Sequence, residues 1–136
     1  MRLKVYSDGG ARGNPGPAAA AYLILNEEGK TLKKGACCLG KRTNNQAEYE
    51  ALINALEAAA AIGGTEVLCH LDSEVVAKHL TGEYRVKNAE LYKLWSRVQE
   101  LKKGFKVVRF VNVPRSNSCI QEADALVNRA LDEPCR

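Results

Sequence analysis

Four acids in this chain stand where they could do chemistry together: Asp8, Glu48, Asp72 and Asp124. Asp8 closes an apolar stretch that reads as a strand, Leu3–Asp8, and Asp72 follows another, Glu66–Leu71. Taken singly, each has an ordinary explanation, Asp8 as a turn residue and Asp72 as the N-cap of the segment after it. Glu48 and Asp124 are more telling. Glu48, Leu52, Leu56 and Ala59 are spaced i, i+4, i+8, i+11, one stripe of a helix, and Ile120, Asp124, Val127 and Leu131 form a second stripe. Such stripes face a core, and a carboxylate there is costly unless it is paired or binds a cation. A lysine or arginine would serve as well as a metal, and spacing does not separate the two. If the four acids meet at one edge of a sheet, they repel one another and hold protons unless divalent cations neutralise them. Oxygen-only ligands suit hard ions, Mg²⁺ or Mn²⁺, and two such ions roughly 4 Å apart can clamp the attacking and leaving oxygens of a phosphodiester. The chemistry this spacing suggests is phosphoryl chemistry.

The elements that must position these acids can be read in outline. Leu3–Asp8, Ala18–Leu25 and Thr31–Leu39 read as an antiparallel meander, the last two joined at Asn26-Glu27-Glu28-Gly29-Lys30. Thr43-Asn44-Asn45-Gln46 matches a capping box and opens a helix that stops at Gly63-Gly64. Glu66–Leu71 is a strand, and a short helix runs from Ser73 to about Leu80. Asn88–Lys103 is a helix with Leu91, Leu94, Val98 and Leu101 as its stripe, and Phe105–Val113 is the last strand. Ser118-Cys119-Ile120-Gln121, a second capping-box pattern, starts a final helix that reaches about Leu131. The order βββαβααβα predicts an α/β fold with a mixed five-stranded sheet and helices on both faces, with ligands expected at the carboxyl ends of the parallel strands. Gly10-x-x-Gly13-x-x-Gly16 is not a dinucleotide fingerprint, because Pro15 and Pro17 block the helix that the fingerprint must open, and no Gly-Lys-Ser/Thr marks a P-loop. The glycine-rich turn instead lets the backbone approach a ligand closely beside Asp8, with Gly9 and Gly10 as candidate substrate contacts and a bare hairpin connection as the alternative.

At 136 residues with no composition shift, one domain spanning 1–136 is expected, and the balance of apolar and charged residues is that of a soluble globular protein. No apolar run approaches the roughly 20 residues of a bilayer span, and the start of the chain is too short and polar for a secretory signal, so a cytoplasmic location is expected. Five cysteines (Cys37, Cys38, Cys69, Cys119, Cys135) form no C-x-x-C pair. Buried free thiols in a reducing compartment are the expectation, with a disulfide through Cys135 as the alternative. Cys37 and Cys38, adjacent in a strand, must point to opposite faces. Between Ser73 and Val113 nine basic residues stand against four glutamates, a surplus of five that leaves the rest of the chain near neutral. That asymmetry suggests a polyanionic partner.

Four blocks carry a resemblance. Tyr6-Ser7-Asp8-Gly9-Gly10-Ala11-Arg12-Gly13-Asn14-Pro15-Gly16-Pro17 resembles the opening signature of type 1 ribonucleases H. Thr43-Asn44-Asn45-Gln46-Ala47-Glu48-Tyr49-Glu50-Ala51-Leu52, Leu71-Asp72-Ser73 and Glu122-Ala123-Asp124-Ala125-Leu126-Val127-Asn128 are similar to the blocks that follow, in order, along essentially the whole chain. The resemblance implies the ribonuclease H-like fold. It also implies a monomeric, metal-dependent endonuclease that cuts the RNA strand of RNA–DNA hybrids to 3′-hydroxyl and 5′-phosphate products with two Mg²⁺ or Mn²⁺ ions. Asp8, Glu48, Asp72 and Asp124 would then be the catalytic metal ligands, Glu48 also orienting the sugar 2′-hydroxyl. Asn14, Asn44 and Asn45 fall on positions that contact the hybrid in its minor groove, and Thr43 falls near a phosphate contact.

Three departures from the family pattern matter. The basic handle helix is missing or reduced to Arg85-Val86-Lys87. Glu74 stands where Gln is frequent among substrate-contacting positions. The loop before the last helix, Pro114-Arg115-Ser116-Asn117-Ser118, lacks the histidine thought to shuttle protons. Arg115 could stabilise leaving-group charge there but cannot carry a proton near neutral pH. His70, inside a strand, is read as structural, and Trp95 as core. Cleavage of double-stranded RNA on the same fold and a non-catalytic hybrid-binding module are the competing readings; a dehydrogenase or kinase lacks any motif.

Overall fold

The computed structural model of the chain describes residues 1–133. Strands β1 (Arg2–Ala11), β2 (Gly16–Leu25) and β3 (Thr31–Arg42) are followed by helix α1 (Asn44–Ala61), strand β4 (Glu66–Leu71), helices α2 (Glu74–Thr81) and α3 (Ala89–Lys102), strand β5 (Val107–Asn112) and helix α4 (Ser118–Asp132). The expected order is therefore observed. The sheet runs β3-β2-β1-β4-β5, with the meander β1–β3 antiparallel and β4 added parallel to β1, then β5 parallel to β4. No helix among the described residues is long and apolar enough to cross a membrane.

Two helical layers sandwich the central strands. On one face α1 and α3 bury the main core, in which Val5, Ile24, Leu52, Leu56, Leu71 and Val98 meet. On the other face α4 packs Val127 against Ala19 and Ala21. Ala18, Ala19, Ala20 and Ala21 are all at most 1% exposed, which is why β2 reads as a continuous small apolar run instead of an alternating one. Small side chains let helices approach from both sides. Trp95 packs against the main core, as expected.

The structure amends several boundaries. β1 does not end at Asp8 but continues to Ala11, with Gly9, Gly10 and Ala11 paired to Ala20, Ala19 and Ala18. Ladder pairing overrides the local turn preference of the two glycines, and the turn narrows to the residues between Ala11 and Gly16. The capping box at Thr43 is present in full. The one expected at Ser118 is not: Asn117 caps α4, its side chain accepting from the N–H groups of Cys119 and Ile120 at 3.0 and 3.2 Å. One asparagine reaching two orphan donors sets the start one residue earlier. Only α2 and α3 lie between β4 and β5, and the connection through Arg85 and Lys87 is not helical, so no handle helix is present.

Cys37 and Cys38 do face opposite ways, Cys37 Sγ accepting from Asn54 of α1 at 3.4 Å and Cys38 Sγ lying 3.5 Å from the Ala130 carbonyl of α4. Cys37, Cys69 and Cys119 are free, but only Cys69 among them is buried; β3 is an edge strand and leaves Cys37 exposed. The alternative concerning Cys135 lies outside the described residues.

Candidate active site

Parallel pairing of β1 with β4 brings the chain to one edge of the sheet twice. Their last paired residues are Tyr6 and His70, after which β4 leaves through Leu71 into Asp72 while β1 runs on through Asp8. Asp8 is thus placed where its strand loses a neighbour, and Asp72 at the exit of that neighbour. Ser73 caps α2, accepting from the Val76 N–H at 3.3 Å, and this fixes the turn that carries Asp72.

Glu48 arrives from α1, and Gly9 makes that possible. A Cβ at Gly9 would lie 2.1 Å from the Ala47 carbonyl oxygen, so only glycine permits this approach of helix to strand. The Gly9 N–H then donates to Glu48 Oε1 at 2.7 Å. Asp8 and Glu48 are 6% and 7% exposed, in keeping with the core-facing stripe. One carboxylate oxygen from each of Asp8, Glu48 and Asp72 lies within 4.8 Å of the others.

Asp124 is placed differently from its expected stripe. The buried line of α4 is Ile120, Ala123 and Val127, and Asp124 beside it is exposed. It faces the open cleft, not the core, and its carboxylate accepts from Asn128 Nδ2 at 3.3 Å. The cleft, about 330 Å³, is lined by Asp124 together with Asp8, Glu48 and Asp72. All four acids therefore border one space, three of them tightly and the fourth at its rim.

Electrostatics follow from this crowding. Burial above all, with the negative charges of Asp72 and Asp124, pushes the Asp8 carboxyl up to about 7, although its hydrogen bond with Glu48 acts the other way. Burial, then the charge of Asp8, raises Glu48 well above the usual carboxylate range, against the pull of the Gly9 N–H. Among the described residues no lysine or arginine pairs with Asp8, Glu48 or Asp124. The alternative of a basic partner for Glu48 is thereby removed. A crowded, oxygen-only donor set whose one basic neighbour among the described residues is the exposed Arg115 beside Asp72 fits a hard divalent cation.

The other expected residues divide. Gly9, Gly10, Asn44, Asn45 and Arg115 line the cleft. Asn14 stands just behind it: its Oδ1 accepts from the Asn44 N–H, and Asn44 Oδ1 accepts from the Ala11 N–H, both at 2.9 Å, tying the glycine turn to the start of α1. Thr43 is engaged in its capping box, its hydroxyl accepting from the Gln46 N–H at 3.2 Å. Glu74 lies outside the cleft lining, paired with Lys78 at 2.7 Å, because α2 turns that side chain to solvent. Ser73 lines the cleft and was not singled out from sequence; its adjacency to Asp72 and its capping position were the available signal. Neither histidine reaches the site. His70 Nδ1 bonds the Val5 carbonyl at 2.9 Å with its ring stacked on Tyr6, and His79 Nδ1 meets the Tyr49 hydroxyl at 2.9 Å.

Comparison with known proteins bears on the sequence and the fold. A family model described as reverse transcriptase-like matches residues 6–130. Ribonuclease HI of Halobacterium salinarum is 42% identical over 132 residues, which is 97% of this chain and 65% of that protein, and a bifunctional protein of Mycobacterium tuberculosis is 36% identical over 97% of this chain and 36% of its own length. The chain thus spans somewhat under two thirds of one relative and about a third of the other. The crystal structure of RNase H1 from Halobacterium salinarum superimposes with a TM-score of 0.95, covering 98% of this chain and 100% of that one. LC11-RNase H1, solved in complex with an RNA/DNA hybrid, gives 0.90 at 39% identity, with 96% of each chain covered. With the fold and the sequence likeness in agreement, the chain belongs to the type 1 ribonuclease H family.

Proposed function

We propose that the chain is a single-domain endonuclease that hydrolyses the RNA strand of RNA–DNA hybrids, leaving 3′-hydroxyl and 5′-phosphate ends, and that it does so with two Mg²⁺ or Mn²⁺ ions. The observation that carries this reading is the set of acids Asp8, Glu48 and Asp72, two of them buried and Asp72 half-buried, mutually within 4.8 Å, unpaired except for the exposed Arg115 beside Asp72, and open to a cleft of about 330 Å³. The hybrid seen with LC11-RNase H1 supports the choice of substrate.

Asp8, Glu48 and Asp72 would hold one ion, and Asp124, at the rim beside Asp8 and Asp72, would help hold a second. Bound there, the ions supply charge neutralisation and a water nucleophile of lowered pKa. The protein's own part is positioning. Glu48, fixed by the Gly9 N–H on one oxygen, would turn its carboxylate to an ion or a sugar hydroxyl. Asn44 and Asn45 present amides at the mouth, where donors and acceptors can follow the 2′-hydroxyls and base edges of a minor groove. All four acids come from one chain, so a monomer has a complete site.

Purified protein with Mg²⁺ or Mn²⁺ should cleave a labelled hybrid, chelation should stop it, and Asp8→Asn should lower the rate by at least about a thousandfold. An intact hybrid under every metal condition, with Asp8→Asn no different from wild type, would overturn the reading. A matched RNA duplex in the same assay tests whether the partner strand is discriminated.

A further inference from the structure

Asp124 is the exposed member of the four acids, and no lysine or arginine among the described residues pairs with it. It stands close enough to Asp8 for its negative charge to act there, so like-charge repulsion favours any rotamer that swings Asp124 out of the cleft. One neighbour opposes that motion. Asn128, one helical turn on, donates through Nδ2 to Asp124 Oδ2 at 3.3 Å and to the Asp124 carbonyl at 3.1 Å. The other side of the same amide meets Arg12 of the glycine turn. Arg12 Nη2 lies 3.5 Å from Asn128 Oδ1 and 3.4 Å from the Asn128 carbonyl, and Asp132 Oδ1 anchors it at 2.6 Å. These partners leave the amide one orientation. A guanidinium only donates and a carboxylate only accepts, so Oδ1 must face Arg12 and Nδ2 must face Asp124. The turn that carries Arg12 is itself tied to α1, the Ala11 N–H donating to Asn44 Oδ1 and Asn14 Oδ1 accepting from the Asn44 N–H, each at 2.9 Å.

We propose that Asn128 is a positioning residue that holds the Asp124 carboxylate toward the cleft, with Arg12 fixing the Asn128 amide, and that this relay sets the affinity of the second ion site. This role rests on the two-ion hydrolase reading above. An amide suits the task better than a cation. It orients the carboxylate by hydrogen bonding without neutralising it, so the charge of Asp124 stays available to a divalent ion. A single hydrogen bond to Oδ2 also leaves further lone pairs on the carboxylate for that ion. Asp124, Asn128 and Asp132 are spaced i, i+4, i+8 on α4, and Arg12 reaches the last two from another element. One turn thereby steadies both the Asn44 amide at the mouth of the cleft and the acid at its rim.

The test compares wild type, Asn128→Ala, Asn128→Gln and Arg12→Ala, each as the full chain bound to a hybrid whose RNA strand is 2′-fluoro RNA, shown by gel to stay intact. Bound Mn²⁺ is counted by electron paramagnetic resonance. Wild type should hold two ions. Asn128→Ala should weaken the looser one about tenfold, while the tighter, held by Asp8, Glu48 and Asp72, moves less than about twofold. Asn128→Gln keeps a donor amide and should recover most of the loss, and Arg12→Ala, which frees the amide without removing it, should weaken the same ion about threefold. On an ordinary hybrid the Mg²⁺ concentration for half-maximal cleavage by Asn128→Ala should rise about tenfold, with KM for the hybrid moving less than about threefold. Unchanged ion constants in Asn128→Ala, whatever its unfolding midpoint, or equal weakening of both ions, overturns the inference while leaving the hydrolase reading intact. A wild type that holds one ion overturns the two-ion reading, and one that cuts no ordinary hybrid overturns the hydrolase reading itself. An unfolding midpoint matching wild type, expected for side chains as exposed as Asn128 and Arg12, confirms that the variants are folded.

Discussion

Asp8 is held in a site that disfavours its own charge, and this has a consequence for stability. In the unfolded chain its carboxyl ionises near the ordinary 3.8, whereas in the folded, metal-free protein it keeps its proton to about 7. A raised acid of this kind costs nothing while protonated in both states; the folded state loses stability as pH rises from about 4, and the loss is complete above about 7. In chelator, Asp8→Asn should therefore match wild type near pH 4 and be more stable at pH 8, by at most about 4 kcal/mol, as read from urea unfolding. Saturating Mg²⁺ should narrow the gap at pH 8, because a bound cation favours the ionised Asp8 and an asparagine gives it little to hold. A gap that is independent of pH would contradict the burial and crowding described for Asp8. Glu48, raised for the same reasons, should behave alike in Glu48→Gln.

The contact between β1 and α1 is what brings Glu48 to Asp8, and it depends on an absent side chain. Gly9→Ala would set a methyl against the Ala47 carbonyl, where rigid backbone stands on both sides. Strand and helix must separate, with an expected loss of at least about 2 kcal/mol in unfolding free energy and of hybrid cleavage as Glu48 withdraws. Wild-type stability and activity in Gly9→Ala would show that the approach is looser than drawn. Thr43→Ala removes the hydroxyl half of the α1 capping box and should cost about 1 kcal/mol. Its activity loss should exceed what stability alone explains, since Asn44 and Asn45 occupy the first helical turn. The capping box was legible in the sequence as a local pattern. The meeting of Gly9 with Ala47 was not, because it joins residues 38 positions apart.

At the scale of the whole molecule, the basic surplus between Ser73 and Val113 is only partly free. Lys78, Lys93, Arg97 and Lys103 are paired with Glu74, Glu90, Glu57 and Glu100, whereas Arg85 and Lys87, on the exposed connection from α2 to α3, have no ion-pair partner among the described residues. These two are the remaining positive charge where a handle helix would stand. Reversing both, Arg85→Glu with Lys87→Glu, should raise KM for a hybrid about 3- to 10-fold at low salt with kcat unchanged, and the effect should fade as salt rises toward about 0.5 M. A salt-independent change, or one confined to kcat, would place the effect elsewhere.

The sequence by itself determined the element order and picked out the three tightly gathered acids, because hydrophobic period, capping residues and motif blocks are written locally. It misjudged Asp124, whose spacing matches a buried stripe but whose side chain lies on the cleft side of α4, since spacing gives a helix face and not what the neighbouring strands leave uncovered. It ended β1 too early at glycines whose turn preference was outweighed by pairing with β2. Tertiary structure alone decided that no lysine or arginine among the described residues neutralises Glu48, and that Arg115 hangs between the elements carrying Asp72 and Asp124. Each of these is a distance between segments far apart in the chain. Such distances arise only when sheet register and helix packing are fixed together.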